Sequence, residues 1–274
     1  CTEAKVKLDN GWFPNEVGRQ KLLDCSNRIS KRCKNKEYDV IVGVSGGIDS
    51  SYLLHLVVKE MKLRPLVVHV DAGWNSEIAV KNIENLVKKL NLDLFTYVVD
   101  WNEIRDLQLS FLKAAVANQD IPQDHVFFAK LYEFALNNNI KYVITGSNLT
   151  SESILPSSWG YTASDVRQIK AIHKKFGSVK LKSYPTMSYW EHKIYWPFIK
   201  GMEVIKPLNW VDYDKNKAIE FLQENYGWRY YGGKHHESHW TKFFQSFYLP
   251  YKFGFDKRKA HLSSMIVAGQ ITRD

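Results

Sequence analysis

An apolar run, Tyr38-Asp39-Val40-Ile41-Val42-Gly43-Val44, leads through Ser45-Gly46-Gly47-Ile48-Asp49-Ser50-Ser51 into an amphipathic stretch, Tyr52 to Met61. That order is strand, glycine turn, helix. It commits the chain to an α/β architecture with the turn at the C-terminal end of a strand. Two adjacent glycines let the backbone approach a phosphate closely, and the N–H groups of the first helical turn point at it. Ser45, Ser50 and Ser51 add short hydroxyl donors. Asp49 is the odd member. A carboxylate beside phosphates is repulsive unless a cation lies between them, which points to Mg²⁺.

The rest of the chain repeats the alternation. Strands are expected at 38–44, 66–70, 94–99 and 142–145, with a fifth at Val204-Ile205 leading to Pro207-Leu208. Helices are expected at 50–62, 76–90 (Ser76 as N-cap), 102–117, 125–138 and 213–225. The expected fold is a doubly wound, Rossmann-like parallel sheet with ligands at the C-terminal strand ends. The expected division is a helical or irregular segment at 1–37, a nucleotide-binding domain at 38–226 and a basic substrate-binding extension at 227–274. Cys1 is an unusual first residue, and Ile271-Thr272-Arg273-Asp274 reads as the start of a further helix. The natural protein is therefore expected to continue on both sides.

Two familiar phosphate loops are disfavoured. A Walker A loop needs a lysine just before its Ser/Thr, and Asp49 stands in that place. A dinucleotide fingerprint needs Gly-x-Gly-x-x-Gly, which Gly43, Gly46 and Gly47 do not form, although Asp71 at the next strand end could mimic its ribose ligand. The pattern Ser-Gly-Gly-x-Asp-Ser instead resembles the PP-loop of the N-type ATP pyrophosphatases. The resemblance implies a fold of the adenine nucleotide alpha hydrolase type. It also implies that the loop holds the β,γ-pyrophosphate as a leaving group while a substrate oxygen attacks the α-phosphate.

Composition sets outer limits. With 274 residues, 45% of them hydrophobic, the chain can bury a large core, and no apolar run approaches a membrane span. Three cysteines and no secretory signal fit a reducing cytoplasm. The net charge is +9, and residues 228–274 hold eight Lys/Arg against three Asp/Glu. Such a tail suits a phosphorylated small molecule or a nucleic acid, or is only a solvated basic face.

Function is expected at the strand ends. Strand 2 ends in Asp71-Ala72-Gly73-Trp74-Asn75, where, by the PP-loop resemblance, small residues let an adenosine approach. Strand 4 ends in Thr145-Gly146-Ser147-Asn148, followed by Leu149-Thr150-Ser151-Glu152. This resembles the second nucleotide segment of NAD synthetase-like PP-loop enzymes, which implies Gly146 opening the turn and Glu152 joining Asp49 on Mg²⁺. Asp124 lies just before an expected helix, where capping is its expected role.

The run Gly232-Gly233-Lys234-His235-His236-Glu237-Ser238-His239-Trp240-Thr241-Lys242 is dense in polar chemistry. His235 and His239 would share a helical face, but the acid of a His-Glu-x-x-His zinc motif is misplaced. Glu237 is either a general base, an ammonium binder or a structural ion pair. Lys257, Arg258 and His261 lie in Asp256-Lys257-Arg258-Lys259-Ala260-His261-Leu262-Ser263, near the aromatics Phe247 to Phe253. Lys and Arg with hydroxyls suit a diphosphate; the aromatics either stack on a base or form core.

The Ser45–Ser51 loop, the Thr145–Asn148 segment and above all the runs Lys234–Ser238, Asp256–Ser263 and Gly269–Arg273 together resemble the N-acetyl sugar amidotransferases of bacterial surface-polysaccharide (lipopolysaccharide, O-antigen) biosynthesis. That resemblance implies an ATP-dependent, AMP-forming carbon–nitrogen ligase. The N-acetyl oxygen of a nucleotide-linked sugar, UDP-linked by expectation, attacks the α-phosphorus. Ammonia then displaces AMP to leave an acetamidino group. Separate glutaminase and cyclase-like subunits supply the ammonia, and neither membrane nor nucleic acid is an expected partner. The family's N-terminal zinc cysteines are not carried over, since only Cys1 could be a remnant.

The expected roles follow. Ser45, Gly46, Gly47, Asp49, Ser50, Ser51, Asp71, Gly73, Gly146 and Asn148 bind ATP; Asp49 and Glu152 hold Mg²⁺. Asp49, Lys234, His235 and Glu237 are the catalytic candidates, and Lys234, Lys242, Lys257, Arg258 and His261 the substrate-binding ones. Asp49→Ala is expected to suppress turnover with little loss of fold. Two other readings remain open: a tRNA-modifying PP-loop enzyme, for thiolation or lysine attachment, and a non-catalytic ATP-binding module.

Overall fold

The computed structural model describes residues 2–152, 154, 159, 162–233 and 236–273. Its centre is a five-stranded, all-parallel sheet in the order β3-β2-β1-β4-β5. The strands are β1 (Val40–Gly43), β2 (Pro65–Asp71), β3 (Leu94–Val98), β4 (Tyr142–Ile144) and β5 (Glu203–Ile205). The helices are α1 (Thr2–Gly11), α2 (Glu16–Arg32), α3 (Ile48–His55), α4 (Glu77–Leu90), α5 (Trp101–Ala114), α6 (Ile121–Asn137), α7 (Leu149–Glu152), α8 (Val166–Phe176), α9 (Lys215–Tyr226), α10 (His239–Phe243), α11 (Leu249–Phe253) and α12 (Lys257–Val267).

The apolar runs of the central strands follow from burial on both faces. Val40 and Val42 join a cluster with Ile29 of α2, Leu53 and Leu54 of α3, Leu86 of α4 and Leu222 of α9. Ile41, one residue out of phase, joins the opposite cluster with Ala129, Tyr132 and Ala135 of α6. The alternation is the strand's period of two, and it sorts helices to the two sides. In α4, Ala79, Ile83, Leu86 and Leu90 form one buried stripe. Burying each of the larger side chains contributes about 1.5–3 kcal/mol. Ser76 starts this helix as expected, its Oγ accepting from the Ala79 N–H at 3.2 Å.

β1 has β2 on one side and β4 on the other, so the chain reverses direction across the sheet between β1 and β4. Here the turns after those two strands diverge and leave a crevice. The expected ligand end of the sheet is therefore built from residues 44–49 and 145–148.

Several elements differ from expectation. The segment expected as helical or irregular holds the two helices α1 and α2, with Asn15 capping the second. Helix α6 begins at Ile121, not at His125, because Asp120 stands at the cap and Pro122 in the first turn favours a helix start. Asp124 therefore lies inside that helix. Helix α8 and a π-helical segment, Glu191–Ile199, were not foreseen. The basic run after Asp256 is helix α12, capped by Asp256, whose carboxylate accepts from the Arg258 N–H at 3.0 Å. No described helix is long and apolar enough to cross a membrane.

Candidate active site

The crevice opens into a cavity of about 400 Å³. One wall is the turn after β1, with Ser45, Gly47, Asp49 and Ser50, joined by Thr145, Gly146 and Glu152. Another is apolar, with Val70, Ala72, Phe127, Phe128, Leu131 and Ile144. The remaining wall combines Asp120, Gln123 and Asp124 of α6 and its cap with Tyr231, Glu237, Ser238, Thr241, Gln245 and Lys257 from the C-terminal part.

The glycine turn is shaped by close packing. Gly46 adopts φ +76°, and a Cβ there would lie 2.3 Å from the Ala79 carbonyl oxygen of α4. Its own carbonyl accepts from the indole N–H of Trp228 at 3.2 Å. Gly46 is thus the hinge that presses the turn onto α4. Gly47 leads into α3, and a Cβ there would lie 3.0 Å from Glu237 Oε1. The Glu237 carboxylate therefore lies directly over the turn. Tyr231 joins it: its hydroxyl accepts from the Ile48 N–H at 3.2 Å. Burial, and next the negative charge of Glu237, push the Tyr231 phenol far up. Backbone pairing holds Glu237 in place, its carbonyl accepting from the Ser76 N–H at 2.8 Å, while the His239 N–H donates to the Trp74 carbonyl at 2.8 Å.

Asp49 is oriented from two sides. Tyr213, buried beside α3, donates its hydroxyl to Asp49 Oδ1 at 2.5 Å, and Asn148 Nδ2 donates to the same oxygen at 3.3 Å. Burial first, and the Asp49 charge second, raise the Tyr213 phenol well above its usual range, so it stays a donor. Asn148 Oδ1 meanwhile accepts from Thr150 Oγ1, Ser151 Oγ and the Ser151 N–H. Asn148 is therefore a bracket between α7 and Asp49. Glu152, at the end of α7, lines the same cavity. The Mg²⁺ expected from the sequence fits this donor set: two carboxylates, all-oxygen surroundings and room for phosphate oxygens to complete the shell. Among the described residues no group of three or more His, Cys, Asp or Glu could cage a metal by itself.

Asp120 was not foreseen. It is the N-cap residue of α6, yet its side chain makes no capping bond. Instead it accepts from Thr241 Oγ1 at 3.0 Å, a residue of α10. Burial, then the neighbouring charge of Asp124, raise its carboxyl to about 8, against the opposing pull of Lys257, Thr241 and Gln245. The Asp-Ile-Pro sequence at 120–122 carries the helix-start signal that would have placed it.

Other expected site residues stand elsewhere. Ser51 is buried within α3 and does not line the cavity, since the helix turns it inward. Asp71 accepts from the Gly73 N–H and Asn75 Nδ2, folding its own turn, and Gly73 packs beneath Trp101. Neither lines the cavity. Arg258 lies outside it, exposed and paired in bidentate fashion with Asp256, as its helix cap requires. Lys242 is exposed on α10, and His261 Nδ1 donates to the Ser151 carbonyl at 2.8 Å, behind α7. Lys257 does line the cavity. Lys234 and His235, like Cys1, lie outside the described residues, so the pairing of His235 with His239 does too. Cys25 and Cys33 are buried free thiols.

A parallel sheet with a glycine turn at its switch point and an acid at the mouth is the arrangement that the resemblance of Ser45–Ser51 to a PP-loop implies. Residues 39–143 match the family described as "Phosphoadenosine phosphosulfate reductase domain", and residues 237–274 that described as "LPS biosynthesis protein WbpG-like, C-terminal domain". The chain thus carries a region similar to the PP-loop family of phosphoadenosine phosphosulfate reductases and, after it, a segment similar to the WbpG-like C-terminal domain.

Among curated proteins it is 28% identical to a glutamine-hydrolysing GMP synthase of Thermosipho africanus, over 52% of this chain and 27% of that protein. It is 33% identical to the tRNA(Ile)-lysidine synthase of Clostridium tetani, over 35% of this chain and 21% of that protein. The chain thus spans about a quarter of the length of the curated relatives it matches. Among solved structures, the NH3-dependent NAD synthetase of Campylobacter jejuni aligns with TM-score 0.38 and 21% identity, covering 57% of this chain and 72% of that one. The NMN synthetase of Francisella tularensis aligns with TM-score 0.38 and 15% identity, covering 77% and 92%.

Proposed function

We propose that the chain adenylates the N-acetyl oxygen of a nucleotide-linked sugar and exchanges it for ammonia, as an AMP-forming ligase of surface-polysaccharide biosynthesis. The observation that carries this reading is the cavity itself: the glycine turn and Asp49 share one cavity with residues of the WbpG-like segment. A bare ATP site would not need that second wall.

The main-chain N–H groups of Gly46, Gly47 and Ile48, with Ser45 and Ser50, hold the pyrophosphate and stabilise its charge as it departs. Asp49 and Glu152 are the residues that would hold Mg²⁺, which when bound neutralises the same charge. The apolar wall of Val70, Ala72, Phe127 and Ile144 accepts the adenine. Lys257 faces substrate phosphates or a sugar carboxylate, the role that the sequence resemblance also gives to Lys234. The amide oxygen attacks the α-phosphorus, giving an imidate whose AMP is a good leaving group where oxide was a poor one. Ammonia then displaces AMP. Free ammonia is scarce near neutral pH, so separate glutaminase and cyclase-like subunits deliver it, in a cytoplasmic setting. We keep the division into a nucleotide-binding domain at 38–226 and a substrate-binding extension at 227–274 as part of this proposal.

Labelled ATP, a panel of UDP-N-acetyl sugars and ammonium chloride test the proposal. AMP and pyrophosphate are the expected products, with oxygen label from the acetyl carbonyl recovered in AMP. ADP and phosphate, or label retained in the sugar, would overturn it. RNA modification is a second reading, favoured by the net charge of +9 and the resemblance to a tRNA(Ile)-lysidine synthase. A steeply salt-dependent mobility shift with tRNA would select it instead.

A further inference from the structure

We infer that Asp120 is the catalytic residue that takes the proton from the incoming nitrogen, on the cavity wall facing the glycine turn. The inference rests on the amidation proposed above.

Asp120 occupies a helix-cap position but leaves its helix uncapped. Its carboxylate is committed sideways, to Thr241 Oγ1 at 3.0 Å, and lines the cavity with only 7% of the residue exposed. A structural cap would bond the N–H of its own first turn. The charged and polar groups facing it are Asp124 on α6, Thr241 on α10, Gln245 in the following turn and Lys257 on α12. When all ionise, the two carboxylates and one lysine carry one net negative charge. One turn along the same helix, Gln123 lines the cavity too. Its Oε1 is buried with no hydrogen-bond partner, while its Nε2 donates to Ser238 Oγ at 3.4 Å. Acceptors and surplus negative charge together are what an N–H donor such as ammonium or an amidinium needs. Glu237, by contrast, lies against the glycine turn, where leaving-group charge is handled.

The proton balance requires such a group. The imidate keeps the amide proton on its sugar nitrogen and so is cationic there; ammonia adds to its carbon and forms a carbon–nitrogen bond, leaving the new nitrogen as –NH₃⁺ beside the neutral sugar N–H. As the carbon–oxygen bond breaks, AMP departs with the electron pair and the nitrogen becomes =NH₂⁺, releasing one proton. The Asp120 carboxylate accepts it and becomes neutral. A buried carboxyl raised to about 8 is a far better acceptor than an exposed one.

The test separates the two halves of the reaction in the full chain, with UDP-N-acetylglucosamine and related UDP-N-acetyl sugars and ammonium chloride. Sugar-dependent exchange of labelled pyrophosphate into ATP reads adenylation alone; ammonium-dependent amidine formation reads transfer. Asp120→Asn keeps the acceptor for Thr241. It is expected to preserve exchange within about threefold while transfer falls by about 10²–10⁴. Transfer in the unaltered chain should rise with pH through the Asp120 titration. Thr241→Val removes a bond that favours the charged carboxylate and should move that limb to higher pH; Asp124→Asn removes a like charge and should move it lower. These opposite shifts carry the test if Asp120→Asn does not fold. Normal transfer in Asp120→Asn, equal loss of exchange and transfer, or an unmoved limb in both other variants would overturn the role of Asp120 alone. Absent exchange in the unaltered chain would overturn the adenylation reading, and this role with it.

Discussion

Asp49 shows how a single side chain acquires its setting from far away in the chain. The sequence alone suggests a charged turn residue whose removal leaves the fold intact. The structure shows its oxygen satisfying the buried hydroxyl of Tyr213. Asp49→Ala strands that donor and should cost about 1–3 kcal/mol of stability. Asp49→Asn keeps an oxygen there and should abolish turnover with a near-normal melting temperature; equal melting of both variants would refute the Tyr213 role. Asp120 makes a second prediction. Its carboxyl is near 8 folded and about 4 unfolded. The folded state therefore binds the proton more tightly, and the resulting stability is full below the unfolded value and fades as pH rises through the folded one. Relative to Asp120→Asn, the unaltered chain should lose melting temperature between about pH 4 and about pH 8. A parallel pH dependence of the two would show Asp120 to titrate normally.

Among the elements, the turn after β1 depends on α4 lying against it. Gly46→Ala puts a methyl group into the Ala79 carbonyl at a positive φ, so neither the turn nor α4 can accommodate it cheaply. A loss of roughly 2 kcal/mol or more is expected in denaturant titration. Unchanged stability would mean that the turn is not pinned to α4. The parallel sheet was legible in the apolar runs, because a strand buried on both faces reads as a continuous apolar one, but the switch between β1 and β4 is set by the strand order, which no single run carries. Helix α6 was misread at its start because the expectation looked for apolar periodicity, whereas the start is set by Asp120 and Pro122. Strand β3 was legible as a strand from its residue types, whereas its place at the sheet edge, with Val98 largely in solvent, came only with the strand order.

Across the molecule, the WbpG-like segment meets the glycine turn at Gly47, where a Cβ would lie 3.0 Å from Glu237 Oε1, beside Tyr231, whose hydroxyl accepts from the Ile48 N–H. A carboxylate over an anion cradle competes with the anion. Glu237→Gln should therefore bind inorganic pyrophosphate more tightly, by about tenfold for a repulsion of about 1.4 kcal/mol, measured by calorimetry without metal. Equal affinity would place Glu237 outside the competition.

Residues 38–51 and the alternating apolar runs were enough to specify a parallel sheet, a phosphate turn and an acid at its mouth. These are local patterns, and backbone sterics and hydrophobic burial act on them within each segment. The company that Asp49 keeps with Tyr213, Asp120 with Thr241, and Glu237 with Gly47 joins residues more than a hundred positions apart. So does the sorting of basic residues, with Lys257 facing the cavity and Arg258 turned to its own cap. A one-residue step on α12 separates those two fates, and only the packing of that helix against α7 and α1 decides between them.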